Sequence, residues 1–128
     1  MRHYVESLFS GIAQNDNFDY LSTVFLRCRF ENIVSEGAHI DSVFVGCELT
    51  NVDWYWCTAF SPTFIDCTFS NCDLRGSFFS GSFISCTFHK CATGDDNLGG
   101  STEWENCAVT NCKLFDTVLP LVTNEESL

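Results

Sequence analysis

The chain has 128 residues, with 13 Phe, 9 Cys, only 6 Lys and Arg together, and a net charge of −11. That length suits one domain with a modest core, so residues 1–128 are read as a single domain. The charge excludes direct binding to nucleic acid, which needs a cationic surface against phosphates, and disfavours an anionic membrane, but it permits a basic protein partner.

The first segment, "MRHYVESLFSGIAQND", lacks the long apolar stretch of a signal peptide. No run elsewhere is long and apolar enough for a membrane helix. A cytoplasmic location with reduced thiols is expected, and the odd number of cysteines disfavours a complete disulfide framework. Within residues 3–13, Tyr4, Leu8 and Ile12 fall at i, i+4 and i+8. This spacing predicts a short amphipathic helix, read as an N-terminal cap.

From residue 21 the period changes. Large apolar residues stand at Phe25 and Phe30, then at Phe44, Leu49, Trp54, Ala59, Phe64, Phe69, Leu74 and Phe79, then at Phe83 and Phe88, and last at Trp104, Val109, Leu114 and Leu119. The step is five, with a slip of one residue between blocks. A helix repeats at about 3.6 residues and a strand at about 2. Four steps make one square turn of about twenty residues, so positions about twenty apart should stack. Cys28, Cys47, Cys67, Cys86 and Cys107 test this, with spacings of 19, 20, 19 and 21. Phe25, Phe44, Phe64, Phe83 and Trp104 form a parallel column, and Ile33, Val52, Cys72, Cys91 and Cys112 form another. Both the large residue and the small one two positions before it would point inward. The fit is poorer at 31–43 and at 92–101, where "TGDDNLGG" reads as a bulged loop because Asp96 would fall on a buried position. "PLVTNEESL" closes the chain as an acidic tail over 121–128, with Leu121 and Val122 covering the last coil.

The segments "CELTN", "CTFSN", "CDLRG", "CTFHK" and "CKLFD" resemble the pentapeptide-repeat family over roughly residues 21–120. The resemblance implies an all-β fold, a right-handed quadrilateral β-helix of about five coils. It also brings forward one mechanism, that of Qnr-type members, which imitate B-DNA and bind DNA gyrase. This chain shares the fold signal and the acidity. It is short, since five coils give about 24 Å, or roughly seven base pairs. Its twelve acidic residues between 21 and 120 are spread over several faces.

Reactive chemistry is not expected. No CxxC pair occurs, and Cys67 and Cys72, like Cys86 and Cys91, are five apart, so the cysteines read as small buried core residues rather than metal ligands. His3, His39 and His89 fall on different parts of the repeat, with no nucleophile–base arrangement among them. No phosphate-binding loop is present. No cofactor, no metal and no enzymatic activity are expected.

Function should then lie on the outward faces. Val24, Leu26, Val43, Val45, Ile65 and Ile84 form an apolar stripe, read as an interface with a second copy or a partner. A polar face carries Arg29, Glu31, Glu48, Thr50, Thr68, Ser70, Thr87, His89 and Thr110, bordered by an Asn-rich corner that includes Asn111. A third face is expected to carry Asp53, Tyr55, Trp56, Asp73, Arg75 and Phe115, where exposed aromatics flanked by carboxylates suit a basic protein surface. The partner classes are DNA gyrase or another topoisomerase, or a cognate basic toxin neutralised by an immunity protein. A structural or assembly module is the remaining reading.

Overall fold

Large residues every five positions can all face inward only if the chain turns a corner every five residues. That is the observed architecture. The computed structural model describes residues 2–11, 20–93, 102–105 and 107–117. Its strands are β1 (Arg2–Val5), β2 (Leu8–Ser10), β3 (Thr23–Leu26), β4 (Arg29–Val34), β5 (His39–Ile40), β6 (Val43–Val45), β7 (Glu48–Asp53), β8 (Thr58–Ile65), β9 (Thr68–Ser70), β10 (Phe78–Ile84), β11 (Thr87–His89), β12 (Glu103–Trp104), β13 (Ala108–Thr110) and β14 (Lys113–Phe115). Among the described residues every strand is paired in parallel with the coil before or after it, and no helix occurs. The result is an all-β parallel solenoid.

The first face is built by β1, β3, β6, the ends of β8 and β10, and β13. The second runs β2–β4–β7–β9–β11–β14. The third is held by the Val34–Asp53 pair and by the bridges Asp53–Asp73 and Asp73–Ala92. The fourth comprises β5, the starts of β8 and β10, β12, and the Tyr20–Ile40 bridge. Corners are made by single residues in the left-handed region. Asn32, Asn51, Asn71 and Lys90 turn from the second face to the third, with φ between 52° and 56°. Asn tolerates that conformation better than most side chains. The fourth-to-first corner takes five residues where Ser22 or Ser61 has positive φ. It takes four from Phe79 to Phe83, where the register of β10 shifts between Ser80 and Ser82. There Gly81 lies so close to the coil below that a Cβ would sit 2.3 Å from the Pro62 carbonyl oxygen.

The core consists of two ring ladders. On the first face Phe25, Phe44, Phe64 and Phe83 stack with centroids 4.9, 4.7 and 5.0 Å apart. These spacings match the distance between strands of about 4.8 Å, so backbone pairing and ring stacking reinforce each other. On the second face Phe69 and Phe88 stack at 4.7 Å, and edge contacts such as Phe64–Phe69 at 5.2 Å join the ladders.

The small inward position requires a donor as well as a small volume. Cys47, Cys67 and Cys86 each donate their thiol to a backbone carbonyl one coil below, on Phe25, Phe44 and Phe64. Ser42, Ser77 and Thr102 make the equivalent hydroxyl bonds to Tyr20, Trp54 and Leu74. Each bond gives a buried carbonyl an additional partner.

Two expectations are corrected. Residues 2–11 form β1 and β2, not a helix. The five-residue step already operates there, since Tyr4 pairs with Phe25 and Phe9 with Phe30, while Leu8 points outward. A helical spacing of four and a coil spacing of five differ little over so short a stretch. Ile12, with the rest of 12–19, lies outside the described residues, as does the 118–128 tail.

The second correction concerns the last coil. Trp104 stacks on Phe79 at 5.1 Å, so it continues the fourth-face column of Ile40 and Ala59. Val109, not Trp104, continues the Phe83 column. Cys112, not Cys107, stands over Cys86, because Lys113 N–H bonds to the Cys86 carbonyl. Trp104 and Cys107 pack against the core but are only half-buried. The cause is a longer path between Thr93 and Thr102, which bond to each other through the backbone. Extra residues between two faces raise the spacing from about twenty to 26 without adding a face. The same offset places Thr110 on the first face and Phe115 on the second.

Candidate protein-binding surfaces

On the third face, stacked coils repeat one local device. Asp53 and Asp73 each accept the N–H of the residue two positions on, Tyr55 at 3.0 Å and Arg75 at 3.1 Å. Such Asx turns end the strand and start the corner. Arg75 then returns to Asp73 with two charged hydrogen bonds of 3.0 and 2.9 Å and lies over the Tyr55 ring, 5.5 Å from its centroid. Hydrogen bonding to Asp53, and then its charge, hold the exposed Glu36 carboxyl above its ordinary range. This row therefore presents a crowded pair of carboxylates beside an ordered Tyr–Arg–Asp stack.

Trp56 stands at the corner of that face. Its N–H donates to the Arg75 carbonyl in the coil above, and the Gly37 N–H in the coil below donates to the Tyr55 carbonyl, so Gly37, Trp56 and Gly76 form one corner column. All three have positive φ, of 78°, 59° and 71°. Glycine fits this conformation freely, whereas a side chain with a Cβ is strained by about 1–2 kcal/mol. The indole is not buried in return: Trp56 is 58% exposed and touches Tyr55 edge-on at 5.8 Å. Asp53, Tyr55, Trp56, Asp73 and Arg75 thus lie together on one face and its corner. Phe115 is not among them; it stacks on His89 of the second face at 4.6 Å.

All six residues of the apolar stripe lie on the first face. Val24 pairs with Val43, and Leu26, Val45, Ile65 and Ile84 stack in consecutive coils. Val5 extends the row by one coil through its pairing with Leu26. The sequence reading missed Val5 because it placed residues 3–13 in a helix. It also missed Phe60, which is 59% exposed and packs on Phe78 at 5.3 Å on the fourth face. Their phase was the available signal, since each flanks an inward residue, Ala59 or Phe79.

The cysteines belong mostly to the core. All nine cysteines are free, seven of them buried. Burial pushes the Cys57 thiol up to about 12, which leaves it a poor nucleophile at neutral pH. Among the described residues, no group of three His, Cys, Asp or Glu side chains is placed to hold a metal ion, and no helix is long and apolar enough to cross a membrane. A polar depression lined by Asp66, Ser85, Cys86, Thr87, Asn111 and Lys113 lies at the corner between the first two faces. Its Cys86 thiol donates to the Phe64 carbonyl, and its Ser85 hydroxyl accepts from the Asn111 amide.

No protein-family model matches the sequence, and no curated protein matches it. Among solved structures, the chain is similar to a trypsin-treated variant of QnrB1, a plasmid-mediated fluoroquinolone resistance protein, with 15% identity and a TM-score of 0.46 over 90% of this chain and 70% of the other. It is also similar to full-length QnrB1, with 14% identity and a TM-score of 0.44, covering 86% of this chain and 59% of that protein.

Proposed function

We propose that this pentapeptide-repeat β-solenoid is a non-catalytic binding module for a basic protein that acts on nucleic acid, and that it docks through the Trp56 corner of its third face. Trp56 carries the reading. A bulky aromatic is held in a glycine conformation, left mostly in water, and set at the corner of the face on which Glu36 meets Asp53. Backbone strain retained without burial is a reason to look for function. An indole next to carboxylates suits an arginine or lysine of a partner, which can stack on the ring while pairing with an acid. Cationic surfaces that neutralise phosphates belong to proteins that act on nucleic acid. The overall charge of −11 would steer such a partner in, with local affinity supplied by the aromatics.

DNA gyrase is the first partner to test, in keeping with the pentapeptide-repeat sequence. The carboxylates that lie on strands and bridges spread over three faces: Glu31 and Glu48 on the second, Asp53 and Asp73 on the third, Glu103 on the fourth. The acidity therefore acts through a local patch more than through full imitation of a duplex. Purified protein should bind gyrase, change its supercoiling activity or the inhibition by a fluoroquinolone, and lose the effect on Trp56→Ala. Absence of both binding and effect would exclude gyrase. Equal potency of the Trp56→Ala protein would exclude this surface.

The short stack favours a second reading, an immunity protein that masks a small basic toxin through the same patch. Rescue of cells expressing a toxin encoded beside this chain, lost on Trp56→Ala, is its test.

A further inference from the structure

We propose that the first face is a homodimer interface, closed by the same face of a second copy. On this face the side chains flanking the phenylalanine ladder point away from the core. From β3 to β13 they are Val, Leu, Ile, Thr, Ser and Ala, with no charged residue among them. Leu26, Val45, Ile65 and Ile84 form a continuous row one coil apart, and none is fully buried in the single chain. The other three faces all carry carboxylates: Glu31 and Glu48, Asp53 and Asp73, and Glu103.

This distribution selects the occupant. Two copies of charge −11 repel each other wherever carboxylates would meet, and the first face carries none between its two corners from β3 to β13. A basic partner gains nothing from an uncharged strip, whereas the flat parallel strands of one copy offer a matching strip to the other. Such an isologous contact uses one patch twice and closes at two subunits. Packed β faces lie about 10 Å apart, with outward side chains interdigitating. Glu6, Arg27 and Asp66 line the adjoining corner and would form a polar rim.

The strip is about 24 Å long and about 10 Å wide. That is well below the roughly 800 Å² per partner of a tight complex, so the dimer should dissociate in the micromolar range or above. Salt should tighten it, because screening removes the repulsion between the acidic copies without weakening apolar burial. A basic partner at the Trp56 corner should show the opposite salt dependence. The two surfaces therefore fail or succeed separately.

The test is sedimentation equilibrium of the full chain from about 1 to about 300 μM, a span that brackets the expected dissociation constant. The wild type should show a monomer–dimer equilibrium that tightens as salt rises. Val45→Asp with Ile65→Asp should weaken it by about a hundredfold or more, since like charges are then pressed together, while circular dichroism stays unchanged. Ile84→Asp, at the more exposed end of the row, serves if the double variant does not fold. Trp56→Ala should dimerise normally. A wild type that stays monomeric at the highest concentration overturns the proposal. So does a dimer loosened by salt, or a folded first-face variant that dimerises like the wild type.

Discussion

Trp56 shows how one residue can work against its fold. Its column neighbours Gly37 and Gly76 mark the residue that the corner favours. Trp56→Gly should therefore raise folding stability by about 0.5–1 kcal/mol, the relief of left-handed strain less the entropy that glycine loses on folding. The same change should remove partner binding. Thermal melting and a binding titration, made together, check both; a variant that is clearly destabilised would show that the indole is structural. The exposure of Trp56 was legible in the sequence, because the residue falls out of phase with the inward positions 54 and 59. Its strain was not, because the left-handed corner becomes visible only once Gly37, Trp56 and Gly76 are known to stack. The donor role of the cysteines was hidden for a related reason. Spacing marks a small inward residue, but only the neighbouring coil shows which carbonyl its thiol reaches.

At the scale of elements, most of the solenoid was readable because the inward large residues and the cysteines repeat with separate chemistry at the same interval. Two regular columns fix a register that one would leave ambiguous. The errors came where the interval was sampled too briefly or was broken. Tyr4 and Phe9 give a single step of five, which Tyr4 and Leu8 disguised as a helical one. The extra residues between Thr93 and Thr102 shifted every later assignment by one face, and this moved Phe115 out of the third-face cluster. Gly81 governs a different break, the four-residue corner inside β10. An added Cβ would lie 2.3 Å from the Pro62 carbonyl oxygen and 2.6 Å from Pro62 Cδ, and neither belongs to a flexible side chain. Gly81→Ala should cost about 2–3 kcal/mol through this overpacking. Urea titration checks it, and an unchanged midpoint would mean that β8 and β10 separate at that corner at little cost.

For the whole molecule, each coil touches only the coils beside it, so a defect in one coil exposes the ladder on both sides. Two buried acids place such a defect under the control of pH. Tyr20 is enclosed between coils, with its hydroxyl 3.0 Å from the Ser35 hydroxyl. Burial raises it from 10.0 to about 12, against the lowering by the Ser35 bond. Burial likewise raises Cys57 from 9.0 to about 12. In both cases the neutral form is favoured by folding, so the folded chain keeps a proton that the unfolded chain has released. Their contribution is complete below about pH 9 and is lost as pH rises through 9 to 12, the interval between the unfolded and folded values. A rise of two units, as for Tyr20, corresponds to about 3 kcal/mol once the unfolded group is fully ionised. The urea midpoint should stay level from neutral pH to about pH 8.5 and then fall steeply. Tyr20→Phe should be less stable at neutral pH, having left the Ser35 hydroxyl without this partner, yet should lose less on going to pH 11 because it has no phenol to ionise. A Tyr20→Phe protein with the same alkaline slope as the wild type would place the titrating group elsewhere, and a midpoint unchanged at pH 11 would mean that the coil around Tyr20 accepts charge without opening.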